Sequence, residues 1–382
     1  MTSILSIPFD IINETIELLC TRDIIQFMSA ARILYENIYI YHVCNKLIDS
    51  DILKQRKFKN IQTLDISYNL RRCNICCLSN LTKLDASSTL LINKIYDLPN
   101  LVDLNIAFNR VKQINMRSLS NLTSLNMAYC KYIDNIAFLT RLTKLNIYNT
   151  SIRQNNINTL TNLTNLKMAN CFYIHDIAFL TKLSKLNIRN THIRQNNIYS
   201  LTNLKTLNTN NNDVDDIGFL TQLTNLNISD ANIKQRNIQN LTNLTKLNIY
   251  DNKFVHEISY LVNLTNLNMS NPLITQYDIN QLTKLITLNI SNNYQITNIS
   301  HLTNLVTLFI ASTNIVECNL TTLRDLTIYH NSHIIRISHL INLTSLNITN
   351  TNITQGELYG LTNLCNLSVL NCKYIYDANF IN

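Results

Sequence analysis

With 382 residues, 46% of them hydrophobic and 15% charged, the chain has enough apolar mass for a large core and too little charge for a solvated, disordered polyelectrolyte. Its three glycines, Gly218, Gly356 and Gly360, leave no Gly-rich phosphate loop, which excludes Walker and Rossmann sites. A net charge of +8 spread along the chain argues against nucleic acid as the main partner, and no apolar run approaches the ~20 residues of a membrane span.

The first nineteen residues carry Asp10, Glu14 and Glu17 where a secretory signal would be basic and then apolar, so export is not expected. Ten cysteines scatter without framework spacing, which fits free thiols in a reducing, cytoplasmic location. Asn-x-Ser/Thr triplets, recurring at Asn80, Asn121, Asn162, Asn227, Asn243, Asn263, Asn289, Asn342 and Asn347 among other positions, point the same way, because glycans on some of them would crowd the sheet surface described below. Residues 1–50 read as a small helical domain. Pro8 stands at a helix start, Ile11, Ile12, Ile16 and Leu19 recur at helical spacing, and Asp23 caps a second helix with Ile24, Phe27, Met28, Ala31 and Leu34 on its apolar face. Residues 51–57 form a short linker.

From residue 58 to 382 the chain repeats itself. Taking Leu160 as position 1, leucines follow at 163 and 166, an apolar residue at 168 and Cys171 at position 12. The same frame starts at 58, 78, 98, 119, 139, 160, 180, 201, 220, 241, 261, 282, 302, 320, 340 and 361, giving sixteen repeats of 18 to 21 residues. Alternate repeats resemble each other most, as 137–157 and 178–198 show, so duplication proceeded in pairs. Positions 7 and 9 should point inward from a short strand, and 6, 8 and 10 outward. Position 12, Asn in six repeats, Thr in five and Cys in three, should turn inward and bond the adjoining turn. The return segment of about nine residues leaves room for an extended or 3₁₀ turn and hardly for a helix.

The frame Leu-x-x-Leu-x-x-Leu-x-Ile-x-x-Asn resembles the leucine-rich repeat. That resemblance implies an α/β solenoid: a horseshoe with a parallel concave sheet, short convex turns and an extended face for a protein partner. Directly ahead of it, residues 7–35 resemble an F-box: Ile7-Pro8 at the family's Leu-Pro, Asp10 and Ile11 at its acidic-apolar pair, Leu19 closing the first helix and Asp23-Ile24 at its Asp-Leu. Thr15 and Leu34 depart from the pattern. The resemblance implies a substrate receptor of a cullin-type ubiquitin ligase, with Ile7, Pro8, Ile11, Ile12, Leu19 and Ile24 docking on a Skp-type adaptor and the repeats holding a target protein. Its codon bias toward Asn, Ile and Tyr gives it the look of such proteins from eukaryotes and amoebal giant viruses, which would place it in a host cytoplasm. The alternative is a non-catalytic scaffold whose first helices only cap the solenoid.

No catalytic constellation or cofactor site is expected. His330, His333 and His339 fall at positions 11, 14 and 20, expected on different sides of the coil, and Cys73, Cys76 and Cys77 lack a second pair at zinc-ribbon distance. Cys76 or Cys77 would fill a return turn. Asn at position 8 in ten repeats should form a ladder bonded along the stack. Departures from it are the target-binding candidates: Phe309 with Tyr329 and His330, and Phe108, Tyr129 and Tyr148 on consecutive strands. Arg153, Arg194 and Lys234 recur through duplication.

Overall fold

The computed structural model describes residues 42–44, 53–54, 59–69, 73–89, 92–93, 98–116, 118–210 and 212–377. The chain forms two compact blocks, Met1–Asn187 and Ile188–Asn382. The first carries strands β1 (His42–Cys44), β2 (Thr63–Asp65), β3 (Cys73–Asn74), β4 (Lys83–Asp85), β5 (Ile92–Asn93), β6 (Asp103–Asn105), β7 (Ser124–Asn126), β8 (Lys144–Asn146), β9 (Asn165–Lys167) and β10 (Lys185–Asn187). All but β3 and β5 pair in succession as a parallel sheet, and those two pair with each other on the return side. The strand His42–Cys44 lies inside the segment 1–50 and adds to the sheet beside β2.

The second block carries β11 (Thr206–Asn208), β12 (Asn225–Asn227), β13 (Lys246–Asn248), β14 (Asn266–Asn268), β15 (Thr287–Asn289), β16 (Thr307–Phe309), β17 (Asp325–Thr327), β18 (Ser345–Asn347) and β19 (Asn366–Ser368), again parallel and in succession. Each of the sixteen frames carries its strand at positions 6–8. Three residues make a short strand, but the ladder runs past both ends: the position-9 N–H donates to position 8 of the next repeat, as Ile66 does to Asp85, and the position-5 carbonyl accepts two N–H groups, as Gln62 does from Thr82 and Lys83. Hydroxyls reinforce the same column, with Thr143 Oγ1 on the Thr123 carbonyl and Thr164 on Thr143.

Positions 1, 4, 7 and 9 are buried almost throughout, as Leu160, Leu163, Leu166 and Met168 illustrate at 0 to 1% exposure. Burying each such side chain is worth about 1.5–3 kcal/mol, and only stacking supplies the neighbours that make it possible. Position 10 departs from the outward expectation in several repeats, for Ala107, Ala128 and Ala169 are buried, while Ser291 and Ala311 are half-buried. There the chain is already bending away from the sheet.

That bend has a defined backbone. Position 11 has a positive φ, between 51° and 62°, in fourteen repeats, and no glycine occupies it. Asn149, Asn170, Asn190, Asn292 and Asn350 fit this left-handed region at small cost, whereas Tyr68, Phe108 and Tyr129 do not.

Position 12 turns inward as expected, but its bonds divide by residue type. Asn and Cys reach the preceding repeat: Asn109 Nδ2 donates to the Ala86 carbonyl at 3.0 Å, Asn212 Nδ2 to Ile188 at 2.8 Å and Cys171 Sγ to Ile147 at 2.9 Å. Threonine is too short and bonds the carbonyl three residues back in its own turn, as Thr150 does at Ile147 and Thr191 at Ile188. The expectation of a bond to the adjoining turn is therefore corrected for threonine. Where Asn follows Thr in the column, the Thr hydroxyl receives the Asn amide, with Asn109 to Thr89 at 2.7 Å and Asn212 to Thr191 at 2.8 Å.

Helix is scarce in the returns, with α1 (Gln154–Ile157), α2 (Gln276–Asn280) and 3₁₀ turns such as Gln195–Asn197 and Gln235–Asn237. These occur in alternate repeats and explain the paired duplication. The glutamine that opens each turn clamps the extended return of the next repeat: Gln154 Oε1 accepts from His175 and Asp176 N–H while its Nε2 donates to the Asp176 carbonyl, and Gln276 does the same at Thr297 and Asn298. A helical repeat thus supplies the partners that an extended repeat lacks.

Candidate interaction surface

On the sheet face, positions 6 and 8 project outward on either side of a buried leucine. The asparagines at position 8 are held mainly by their own turn rather than by a ladder along the stack. Asn105 Oδ1 accepts from Ala107 N–H, Asn146 from Tyr148, Asn227 from Ser229 and Asn347 from Thr349, at 3.0–3.2 Å. This local bond ends the strand and corrects the ladder expectation. A cross-strand bond of the expected kind joins Asn105 Nδ2 to Asp85 Oδ2 at 2.8 Å.

The glycosylation reading also changes. Asn80, Asn121, Asn162, Asn243, Asn263 and Asn342 sit at position 3, before the strands rather than on the sheet face. Their amides donate to a carbonyl of the preceding repeat, as Asn162 does to Thr140 at 3.1 Å. Asn227, Asn289 and Asn347 do lie on strands.

The structure brings Phe108, Tyr129 and Tyr148 together. Phe108 stacks on Tyr129 with centroids 4.4 Å apart, and Tyr148 meets Tyr129 edge-on at 5.1 Å. All three stand just beyond their strands, at positions 11, 11 and 10, and not on them as expected. Phe108 and Tyr129 have φ of 58° and 62°, an uncommon conformation for bulky side chains that costs about 1–2 kcal/mol each. A hydrogen bond to the Tyr148 hydroxyl holds the Tyr129 phenol above its ordinary range, and Asn170 Nδ2 donates to the Tyr148 hydroxyl at 3.3 Å. Phe108 remains 60% exposed. Beyond this cluster, the Arg153 guanidinium lies 5.7 Å from the Tyr173 ring.

The second group divides. Tyr329 meets His330 edge-on at 4.1 Å, and His330 Nε2 lies 3.4 Å from Asn350 Nδ2. Phe309 instead closes one end of a hollow of about 460 Å³ on the sheet face, lined by the outward residues of β12 to β15.

On the return side, His333 and His339 line one hollow with Glu317 and Arg336, which corrects the reading that the three histidines face different sides; only His330 stands apart. His339 Nε2 lies 2.9 Å from the Cys318 carbonyl. This hollow borders the shortest repeat, 302–319, whose return supplies Val316, Glu317, Cys318 and Asn319 to its wall. Among the described residues no three His, Cys, Asp or Glu side chains converge as metal ligands. Cys76 and Cys77 form a turn of the return segment, Cys77 exposed and Cys76 partly so. Burial pushes the Cys130 thiol up to about 11 and Cys318 up to about 12. Ile7, Pro8, Ile11, Ile12, Leu19 and Ile24 lie outside the described residues.

No model of a known protein family matches the chain, and no curated protein does. Solved structures do. The functional domain of InlJ from Listeria monocytogenes, which includes a cysteine ladder, aligns over 81% of this chain and 68% of its own at 23% identity and a TM-score of 0.53. A leucine-rich-repeat protein of Leptospira interrogans aligns over 86% and 95% at 22% identity and 0.54. TLR13 in its complex with ssRNA13 aligns over 87% of this chain and 62% of its own at 20% identity and 0.54. The chain has the leucine-rich-repeat fold.

Proposed function

We propose that the chain is a non-catalytic interaction scaffold whose sheet face holds a protein partner. The observation that carries the proposal is the outward face of the strands: position-8 amides anchored by their own turns, interrupted by the exposed Phe309 and bordered, just beyond the strands, by the exposed Phe108. Rigid, partly exposed aromatic side chains among polar neighbours are the composition of binding hot spots. Two of them, Phe108 and Tyr129, keep a strained backbone that Asn would relieve, which a surface with no partner gives no reason to retain. The test is capture from lysate by the immobilised chain and by Phe108→Ala and Phe309→Ala variants, with circular dichroism as the folding check. A protein retained by the parent and lost by a folded variant is the expected result, and equal retention by all three refutes the proposal.

The finer reading, a substrate receptor of a cullin-type ligase, is supported by the F-box resemblance of residues 7–35. Its test is direct binding to a Skp-type adaptor. A folded Pro8→Glu, Ile11→Glu variant should lose binding, and a parent chain that fails to bind leaves the plain scaffold. Buried thiols at Cys130 and Cys171, each bonded to a carbonyl, fit the reducing cytoplasm proposed for the chain.

A further inference from the structure

On the return side, Gln113, Gln154, Gln195, Gln235 and Gln276 all stand at position 16 of repeats 21 residues long. In each, Oε1 accepts two successive N–H groups from the return of the next repeat at 2.9–3.2 Å. The Nε2 donates to the carbonyl of the second residue at 2.7–2.9 Å. That second residue always lies four before the following position 1. Gln355 makes the oxygen half of the same contact at 3.3 Å. Two N–H groups and one carbonyl of an extended return are thus laid out to hold one primary carboxamide.

Repeat 302–319 belongs to the same alternate series but has only 18 residues. Its position 16 is Glu317, no helical turn forms over 314–319, and the Glu317 carboxylate accepts from Asn319 Nδ2 at 3.4 Å. The return that a glutamine here would clamp is that of repeat 320–339, where Ile335 and Arg336 take the places of His256 and Glu257 in repeat 241–260. Among the described residues the Ile335 and Arg336 N–H groups and the Arg336 carbonyl have no hydrogen-bond partner, although Ile337 and Ser338 N–H directly after them reach Glu357. Both residues are exposed, and the return-side hollow of about 460 Å³ lies over them, with Val316 and Glu317 on its other wall.

Water can satisfy these three groups singly, but one planar group meets all of them only if it carries an acceptor and a donor on the same carbon. A carboxylate brings the acceptor and sets its second oxygen against the Arg336 carbonyl, which repels it. A primary carboxamide brings both. The exposed Val316 and Ile335 offer apolar cover for methylene groups, and Glu317 and Arg336 bring charges of both signs to the same hollow, which suits the ammonium and carboxylate of a free amino acid.

We propose that this hollow binds a primary carboxamide, its oxygen on the Ile335 and Arg336 N–H groups and its NH₂ on the Arg336 carbonyl. Free glutamine and a glutamine side chain within a peptide share that chemistry. The site lies on the return side and goes beyond the sheet-face scaffold proposed above.

The test titrates the full chain with L-glutamine and with N-acetylglutamine N-methylamide, followed by saturation-transfer NMR. L-glutamate and dimethylamide-capped glutamine, which both lack the amide donor, serve as parallel arms. At least one of the first two should bind saturably at or below ~1 mM, and the last two about tenfold more weakly. Tighter binding of L-glutamine assigns the site to the free amino acid, and equal or tighter binding of the blocked form assigns it to a peptide side chain. Ile335→Pro removes one of the two N–H groups and should weaken binding about tenfold, whereas Ile335→Ala keeps that N–H and should stay within about threefold. Ile335→Pro should also keep the parent's urea midpoint, since the N–H it removes holds nothing inside the protein. If the proline variant does not fold, the four ligands on the parent chain decide. No saturable binding of either carboxamide, equal binding of L-glutamate or the dimethylamide, or undiminished binding by a folded Ile335→Pro overturns the inference.

Discussion

Asn293→Ala tests whether the inward column at position 12 holds the stack together. Asn293 is fully buried and makes four bonds: Nδ2 donates to the Asn271 and Ile274 carbonyls at 2.7 and 3.0 Å, and Oδ1 accepts from Gln295 and Ile296 N–H at 2.9 and 3.1 Å. At about 1 kcal/mol net per bond, truncation should cost about 4 kcal/mol, because the backbone groups left behind are buried and have no other protein partner within reach. Thr313→Val is the control of similar burial. Its hydroxyl donates to the Ile310 carbonyl and accepts from Asn331, and the isosteric valine should cost about 1–2 kcal/mol. The chain has no tryptophan, so urea unfolding is followed by far-ultraviolet circular dichroism. The midpoint should fall much further for Asn293→Ala, at an unchanged slope. A loss below about 1.5 kcal/mol, or one no larger than that of Thr313→Val, would refute the column as a principal source of cohesion.

Three further outcomes follow from other contacts. Gln235 clamps the next return through His256 and Glu257 N–H and the Glu257 carbonyl, and Gln235→Ala should cost about 2 kcal/mol in the same unfolding experiment; an effect within about 0.5 kcal/mol would show the clamp to be ornamental. Thiol labelling at pH 8 should modify exposed Cys365 promptly and reach Cys130, Cys171 and Cys318 only on unfolding, because burial raises those three thiols and closes access to them; mass spectrometry of early time points showing buried labels would contradict the packing. Glu357 sits below its ordinary 4.5: desolvation pushes it up, but that is outweighed by Ser338 and Ile337 N–H and by Arg336. The stability it contributes is whole above 4.5 and is lost as pH falls through the lower folded value. Glu357→Gln should flatten the acid limb of the stability profile, and an unaltered limb would exclude this carboxylate as its source.

Much of the molecule could be read from spacing alone. Leucines at positions 1, 4 and 7 and the apolar residue at 9 specify which side of each strand is buried, since strand side chains alternate and no single repeat can bury its own. Parallel pairing in register follows, as does the shortage of helix in nine-residue returns. The grouping of Phe108 with Tyr129 and Tyr148 was visible as a departure from a uniform column.

Other features required the third dimension. The asparagines of position 8 look alike in sequence, and only the turn behind each decides whether its oxygen is bonded, which is why Asn268 differs from Asn248 and Asn289. The recurring glutamine of 154, 195, 235 and 276 was available as a repeated letter, but its purpose lies in the N–H groups of the following repeat, about twenty residues on. His333 and His339 were assigned to separate sides by counting residues around a coil, yet both line one hollow on the return side. Periodicity fixes the side a residue faces because that depends on its own backbone. Which hydrogen-bonding groups are satisfied depends on neighbours a full turn away, and that was decided only when the turns stacked.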